Sequence, residues 1–134
     1  QFLPHFQEDI RAFIVGGRVV AAMLRRASGW KTNVSKGAAV EPVELNADMT
    51  ELALKAVGLF GLDYAGVDLM RAEDGGTYVL EVNSIPGWRG LQKTTPQSIA
   101  ASLIHHVLLC TAMDAETRDA TDFTNCTKRR PCNL

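Results

Sequence analysis

The 134 residues leave room for one domain with a real hydrophobic core, and a composition of 46% hydrophobic and 22% charged residues is that of a globular chain. Lys plus Arg at 14 against Asp plus Glu at 15 gives a net charge of −1, which excludes a nonspecific nucleic-acid binder. The apolar runs fall far short of the roughly 18 residues that a membrane span needs.

The opening stretch QFLPHFQEDIR is mixed in character and has no signal-peptide pattern. It starts without Met, in what reads as the middle of a strand, so the length is expected to describe a piece of a longer chain. Asp9–Val15 and Arg18–Met23 are rich in β-formers, and the Gly16-Gly17 pair between them predicts a hairpin with a two-residue turn. Residues 28–38, SGWKTNVSKGA, lose all periodicity and read as a loop dense in functional groups. Asp48 with Glu51 three residues on predicts an N-cap and capping box, followed by an apolar helix face of Met49, Leu52, Ala53, Ala56, Val57 and Phe60 that stops at Gly61.

A second hairpin is predicted from Ala65–Arg71 and Thr77–Asn83, joined by the turn residues Asp74-Gly75-Gly76. SIPGWRG follows as a Pro/Gly loop, and Thr95-Pro96 reads as N-cap and first residue of a last helix. From Asp114 on the chain has one aromatic residue and no period, which predicts a polar, poorly packed tail. Two hairpins with segregated helices give an α+β class: an antiparallel sheet with helices on one face. A parallel crossover through the 48–61 helix is the alternative, and the two glycine turns favour hairpins.

The second hairpin also carries the chemistry. A turn at Asp74-Gly75 sets Asp68 opposite Glu81, and a turn at Gly75-Gly76 sets it opposite Asn83. In either case alternation brings Asp68, Glu81 and Asn83 to one face, whereas a three-residue turn would send Asp68 to the other. Two carboxylates and an amide oxygen suit a hard divalent ion such as Mg²⁺ or Mn²⁺. Three solvated polar residues on an open sheet face is the plainer reading of the same pattern. NSIPGWRG, just after these residues, offers backbone N–H groups to an anion, or is an ordinary strand-to-helix connection. Arg11 in mid-strand and Arg25-Arg26 at the end of the partner strand suit a phosphate or carboxylate, and equally an ion pair. Lys31, Asn33 and Lys36 in the loop are expected either to reach the same ligand or simply to be solvated. His5, His105 and His106 show no ligand spacing and receive no role. Cys110, Cys126 and Cys132 form neither a disulfide framework nor a CxxC pair, which predicts free thiols in a reducing compartment, with a Cys126–Cys132 bridge as the alternative.

The stretches DIRAFIVGGRVVAAMLRRA, TNVSKGA and GLDYAGVDLMRAEDGGTYVLEVNSIPGWRGLQKTT together resemble the C-terminal lobe of an ATP-grasp ligase of the RimK-like group, which includes the ribosomal-protein glutamate ligase. The likeness covers about residues 1–113 and leaves 114–134 as a flexible tail. It implies that Asp68, Glu81 and Asn83 hold two Mg²⁺ or Mn²⁺ ions that bridge the phosphates of ATP. Asp9 would end the nucleotide-contacting segment, Lys31 would contact ATP, and Asn33 would lie in the loop over the acyl substrate. Arg11 and Arg25 would attend the phosphates and the acyl phosphate as catalytic residues. The implied reaction is ATP-dependent joining of a carboxylate to an amine through an acyl phosphate, with glutamate or a similar amino acid as amine donor. The carboxylate acceptor would be a protein C-terminus, a carrier protein or a cofactor. An isolated lobe acting in binding or assembly is the alternative, because the family's preceding domain and smaller lobe are absent from the sequence. Nucleic acid and membrane are not expected as partners, a homodimer through uncovered apolar surface is, and the expected location is cytoplasmic.

Overall fold

The computed structural model describes residues 8–26 and 39–118, the last five as helix backbone alone. Alternating side chains in EDIRAFIV and RVVAAMLRR build strands β1 (Glu8–Val15) and β2 (Arg18–Arg26). Gly16 and Gly17 join them at φ values of +55° and +70°, the backbone that a two-residue type I′ hairpin demands at both central positions. The turn is thus as the sequence predicts and β2 runs on to Arg26, but Val20 is an extra residue, a β-bulge that shifts the register so that Phe13 faces Ala21 and Asp9 faces Arg25.

A short strand that the sequence pattern did not announce, β3 (Ala39–Pro42), pairs with the end of β2. Its proline is tolerated because the strand lies at the sheet edge. Helix α1 (Ala47–Leu59) follows, capped by Asn46, whose Oδ1 accepts from the Met49 N–H at 2.8 Å. This corrects the expected cap at Asp48. Asn caps as well as Asp does, and the earlier start leaves Asp48 in the first turn, where its charge favours the helix dipole. Met49, Ala53, Ala56 and Val57 are buried as expected, but Phe60 lies at the C-cap and is 66% exposed.

Strands β4 (Tyr64–Arg71) and β5 (Thr77–Asn83) form the second hairpin, and its register is the decisive feature of the fold. The Ala72 N–H donates to the Gly76 carbonyl at 2.9 Å and Gly75 takes a φ of +88°, so the turn holds three residues, Glu73 to Gly75. By count alone this would set Asp68 opposite Leu80 and turn it away from Glu81. The pairs Arg71–Thr77, Met70–Tyr78 and Leu69–Val79 do follow that count; the register then shifts, and Asp68 faces Glu81, Val67 faces Val82 and Gly66 faces Asn83. Leu80 is the extra residue, a β-bulge that undoes the effect of the odd turn.

One helical turn, α2 (Arg89–Gln92), leads to α3 (Ile99–Arg118). The expected start at Thr95-Pro96 is corrected: Ser98 Oγ accepts from the Ala101 N–H at 3.2 Å. Thr95 Oγ1 is committed to a turn with the Gln97 N–H, and the Gln92 amide bridges the Gln97 carbonyl and the Ile99 N–H. The helix also continues past residue 113, because Ala115, Glu116 and Arg118 are good helix formers whatever their lack of apolar period.

The α+β class holds: one five-stranded antiparallel sheet in the order β3-β2-β1-β4-β5, with helices. The expectation that helices cover a single face is corrected. Ile10, Ala12, Ile14, Val67 and Leu69 pack with Met49, Ala53 and Val57 of α1 on one face. Phe13, Val15, Ala21 and Met23 pack with Leu91 of α2 and Ile99 of α3 on the other. Among the described residues the second layer covers only part of its face, and the remaining end is polar.

Candidate functional site

The cause of that division lies in β1. After Glu8 its even positions, Ile10, Ala12 and Ile14, are apolar, whereas its odd positions change from Asp9 and Arg11 to Phe13 and Val15. The apolar half of the odd face takes the helix cover. The charged half meets the neighbouring strands, where Asp9 is directly opposite Arg25 of β2 and Arg11 directly opposite Asp68 of β4.

These four side chains form a continuous buried ion network. Arg11 grips Asp68 with two parallel hydrogen bonds, Nε to Oδ1 and Nη2 to Oδ2, both 2.7 Å. Arg25 donates through Nη2 to Asp68 Oδ2 at 2.8 Å and through Nε to Asp9 Oδ1. Arg25 is 3% exposed, Asp68 6% and Asp9 7%, so the charges are held by one another and not by solvent. Burial is the largest influence on the Asp68 carboxyl and would raise its pKa. The Arg11 hydrogen bond and the Arg25 and Arg11 charges together outweigh it, so the pKa lies below the ordinary value. Burial likewise opposes the charge on Arg25, and Asp9 and Asp68 overcome it, so its pKa is raised.

Glu81 and Asn83 share the face of Asp68, as the paired register requires. Glu81 is exposed and makes no hydrogen bond or ion pair among the described residues. Asn83 Oδ1 accepts the Ile85 N–H at 2.9 Å, which starts the turn carrying the loop back over the sheet. Pro86 then lies so close to Gly66 that a Cβ there would come within 2.8 Å of the proline Cβ. Trp88 closes the apolar side of the site, packing edge-on against Phe13 with ring centroids 5.9 Å apart.

The donor set of Asp68, Glu81 and Asn83 consists of hard oxygens alone, which fits Mg²⁺ or Mn²⁺. Glu81 is fully available, and Asn83 Oδ1 and Asp68 Oδ1 each accept one hydrogen bond and keep a lone pair, whereas Asp68 Oδ2 accepts from both arginines. Lys31 and Asn33, with Trp30 and Lys36, lie outside the described residues. Arg26, adjacent to Arg25, points to the opposite face and pairs with Glu8 at 3.2 Å and Glu41 at 2.8 Å, while Arg71 pairs with Glu8 at 2.5 Å. Sequence inspection missed this second network. Its signal is the strand alternation that separates neighbouring Arg25 and Arg26.

A five-stranded antiparallel sheet with this arrangement is the fold of one lobe of ATP-grasp ligases. The ATP-grasp ligase PsnB, in a complex with a minimal precursor variant, Mg and ADP, superposes with a TM-score of 0.66 at 23% identity over 82% of this chain and 34% of that one. D-alanine–D-alanine ligase from Bacillus anthracis, complexed with ATP, gives a TM-score of 0.53 at 24% identity over 86% of this chain and 41% of that one. Residues 3–107 match the RimK-like ATP-grasp domain, and the chain belongs to that family. Among its relatives, tetrahydromethanopterin:alpha-L-glutamate ligase of Methanocaldococcus jannaschii is 50% identical over 101 residues, which is 75% of this chain and 34% of the relative. A probable alpha-L-glutamate ligase of Hahella chejuensis is 40% identical over 102 residues, 75% of this chain and 33% of that protein. The chain spans about a third of the length of these relatives.

Proposed function

We propose that this chain is the metal- and phosphate-binding lobe of an ATP-dependent carboxylate–amine ligase that uses glutamate as amine donor. The observation that carries the reading is the Asp9–Arg25–Asp68–Arg11 network beside Glu81 and Asn83, at an end of a sheet face that no helix among the described residues covers. Names of relatives at 40–50% identity support glutamate.

In the proposed reaction a carboxylate oxygen attacks the γ-phosphorus of ATP, releasing ADP and leaving an acyl phosphate. The amine then attacks the acyl carbon, phosphate leaves, and the ammonium proton goes to solvent. Asp68, Glu81 and Asn83 would hold Mg²⁺ or Mn²⁺, two ions by family resemblance, which supply charge neutralisation at the phosphates. Arg11, 17% exposed at its side chain, is the most exposed member of the network. It can turn one face of its guanidinium to an acyl phosphate while Arg25, locked between Asp9 and Asp68, keeps the strand ends in register. Glu81, exposed and without a partner among the described residues, needs no rearrangement to accept a cation. Asp9 acts through Arg25. Lys31 is assigned to ATP and Asn33 to the acyl side by resemblance.

The acceptor belongs to one of three classes: a protein C-terminus, a carrier protein or a cofactor. The proposed location is cytoplasmic. Exposed Ile104, Val107 and Leu108 on α3 support self-association of the chain as a homodimer. Calorimetry with Mg·ATP tests the reading. The wild-type chain is expected to bind only when Mg²⁺ is present, and Glu81→Ala to lose that dependence. Equal heats for both proteins, or none for either, would favour a lobe that keeps the fold for binding or assembly alone.

A further inference from the structure

Asp68 stands in the middle of a row that crosses three strands. Arg11 is its partner on β1 and Glu81 its partner on β5, so the three share one face of the sheet. Neighbouring strands lie about 4.7–4.9 Å apart, which leaves one carboxylate between a guanidinium on one side and a second carboxylate on the other. Its lone pairs are engaged unevenly. Oδ2 accepts from both arginines, whereas Oδ1 accepts only the Arg11 Nε–H at 2.7 Å. A cation held by Glu81 therefore meets Asp68 at Oδ1, the atom that Arg11 already holds.

The two arginines are not equivalent. Arg25 is held by two carboxylates, Nε by Asp9 and Nη2 by Asp68, so it keeps a partner if Asp68 turns to an ion. Among the described residues both hydrogen bonds of Arg11 go to Asp68, and its side chain is 17% exposed against 3% for Arg25. Charge points the same way. The two arginines and two aspartates cancel, so Glu81 leaves the group with a single negative charge, which one divalent ion reverses to a single positive one. A Mg²⁺–oxygen bond is about 2.1 Å long, so an ion on Oδ1 lies no farther than about 4.8 Å from Arg11 Nε. Like charges that close in a partly buried site are poorly screened and repel.

We infer that Arg11 is the resident counter-ion of the cation site. It holds Asp68 while the site is empty, gives up Oδ1 when a divalent ion takes that oxygen, and is thereby freed for the anion that restores the charge balance. The inference rests on the metal-binding reading above and adds an order to it. In the empty lobe Arg11 is a positioning residue that keeps a buried carboxylate paired. Once the ion is in place, its planar fork has lost its carboxylate and suits a phosphoryl group instead. Ion and phosphate therefore favour each other's binding through Arg11, and the ion alone is held weakly because it must first displace a guanidinium.

The test is titration of the full chain with Mn²⁺ alone, without nucleotide, the free ion being counted by electron paramagnetic resonance. Arg11→Met is expected to bind Mn²⁺ about tenfold or more tightly than the wild type, the scale on which one close charge moves a binding equilibrium. Arg11→Lys keeps the charge but loses the two-pronged grip, and should fall between them. Adding Glu81→Ala to Arg11→Met should abolish the gain. Arg71→Met removes an arginine that pairs with Glu8 and is 48% exposed, so solvent screening should keep its effect below about twofold and separate displacement from net charge. Nuclear magnetic resonance of the isotope-labelled wild type gives a reading that needs no substitution and stands if Arg11→Met unfolds. In saturating Mg²⁺ the Arg11 Nε–H should lose its protection from solvent exchange, while the Arg25 Nε–H keeps it. An Arg11→Met affinity at or below that of the wild type, or an Arg11 Nε–H that stays protected, would overturn the exchange and leave the cation site standing. Absence of Mn²⁺ binding in the wild type and both Arg11 variants would remove the metal reading itself, and this inference with it.

Discussion

Replacing Arg25 by Met tests the buried ion network most directly. Met matches the length of the aliphatic stem, so the substitution removes the charge and the hydrogen bonds with little change in packing. It deletes the Nε bond to Asp9 and the 2.8 Å Nη2 bond to Asp68 in a place that is 3% exposed. Asp68 keeps Arg11, but one of its two guanidinium partners is gone and water cannot enter freely to replace it. Breaking a buried ion pair by removing one partner costs about 3–5 kcal/mol, a large part of the roughly 5–15 kcal/mol that holds a domain of this size. Urea denaturation followed by circular dichroism should show that loss at neutral pH with an unchanged slope. The pH dependence supplies the sharper check. The Asp68 pKa is lowered in the fold, so its contribution is complete above the unfolded value of about 3.9 and fades as pH falls through the lower folded value. The wild type therefore loses that stabilisation in acid, and the gap between the two proteins should narrow below about pH 4. A deficit under about 1 kcal/mol at neutral pH would refute the reasoning, because it would put the pair in the range of exposed ion pairs. A deficit that stays constant into acid would refute it as well.

Three further outcomes are expected. Gly66→Ala places a methyl 2.8 Å from the Pro86 Cβ, so it should cost about 1–3 kcal/mol and lift the Asn83–Trp88 loop, seen as a change in Trp88 fluorescence. Phe13→Ala empties a fully buried position and removes the edge contact with Trp88, with an expected loss of about 3–5 kcal/mol in the same denaturation assay. Asn46→Ala removes the acceptor for the Met49 N–H and should cost about 1 kcal/mol, whereas Asp48→Ala should cost less; equal losses would restore Asp48 as the cap.

The turn of the first hairpin was legible because two adjacent glycines admit few other structures, but the Val20 bulge that sets Asp9 opposite Arg25 was not. The second was legible only in outcome. DGG signals a turn but not its length, and nothing about Leu80 marks it as a bulge, since bulging depends on how the two strands share their twist. Asp68, Glu81 and Asn83 share a face because two departures from the simplest hairpin cancel. The two-sided helix cover had a signal in β1, where the odd positions turn from Asp9 and Arg11 to Phe13 and Val15. Its meaning depends on α2 and α3 packing there, which is a tertiary fact. The ion pair of Arg11 with Asp68 joins residues 57 positions apart that only the sheet order brings together, while Arg25 meets Asp9, 16 positions away, through the shifted register of the first hairpin.

The cancellation in the second hairpin has a consequence for inheritance and for engineering. Turn length and bulge form a parity pair: changing either by one residue sends the outgoing carboxylate to the wrong side of the sheet, and changing both by one leaves it where it was. Single-residue insertions or deletions between Ala72 and Leu80 should therefore be tolerated in compensating pairs and rejected singly. A library of grafted hairpins would sort by odd and even count before it sorted by residue type.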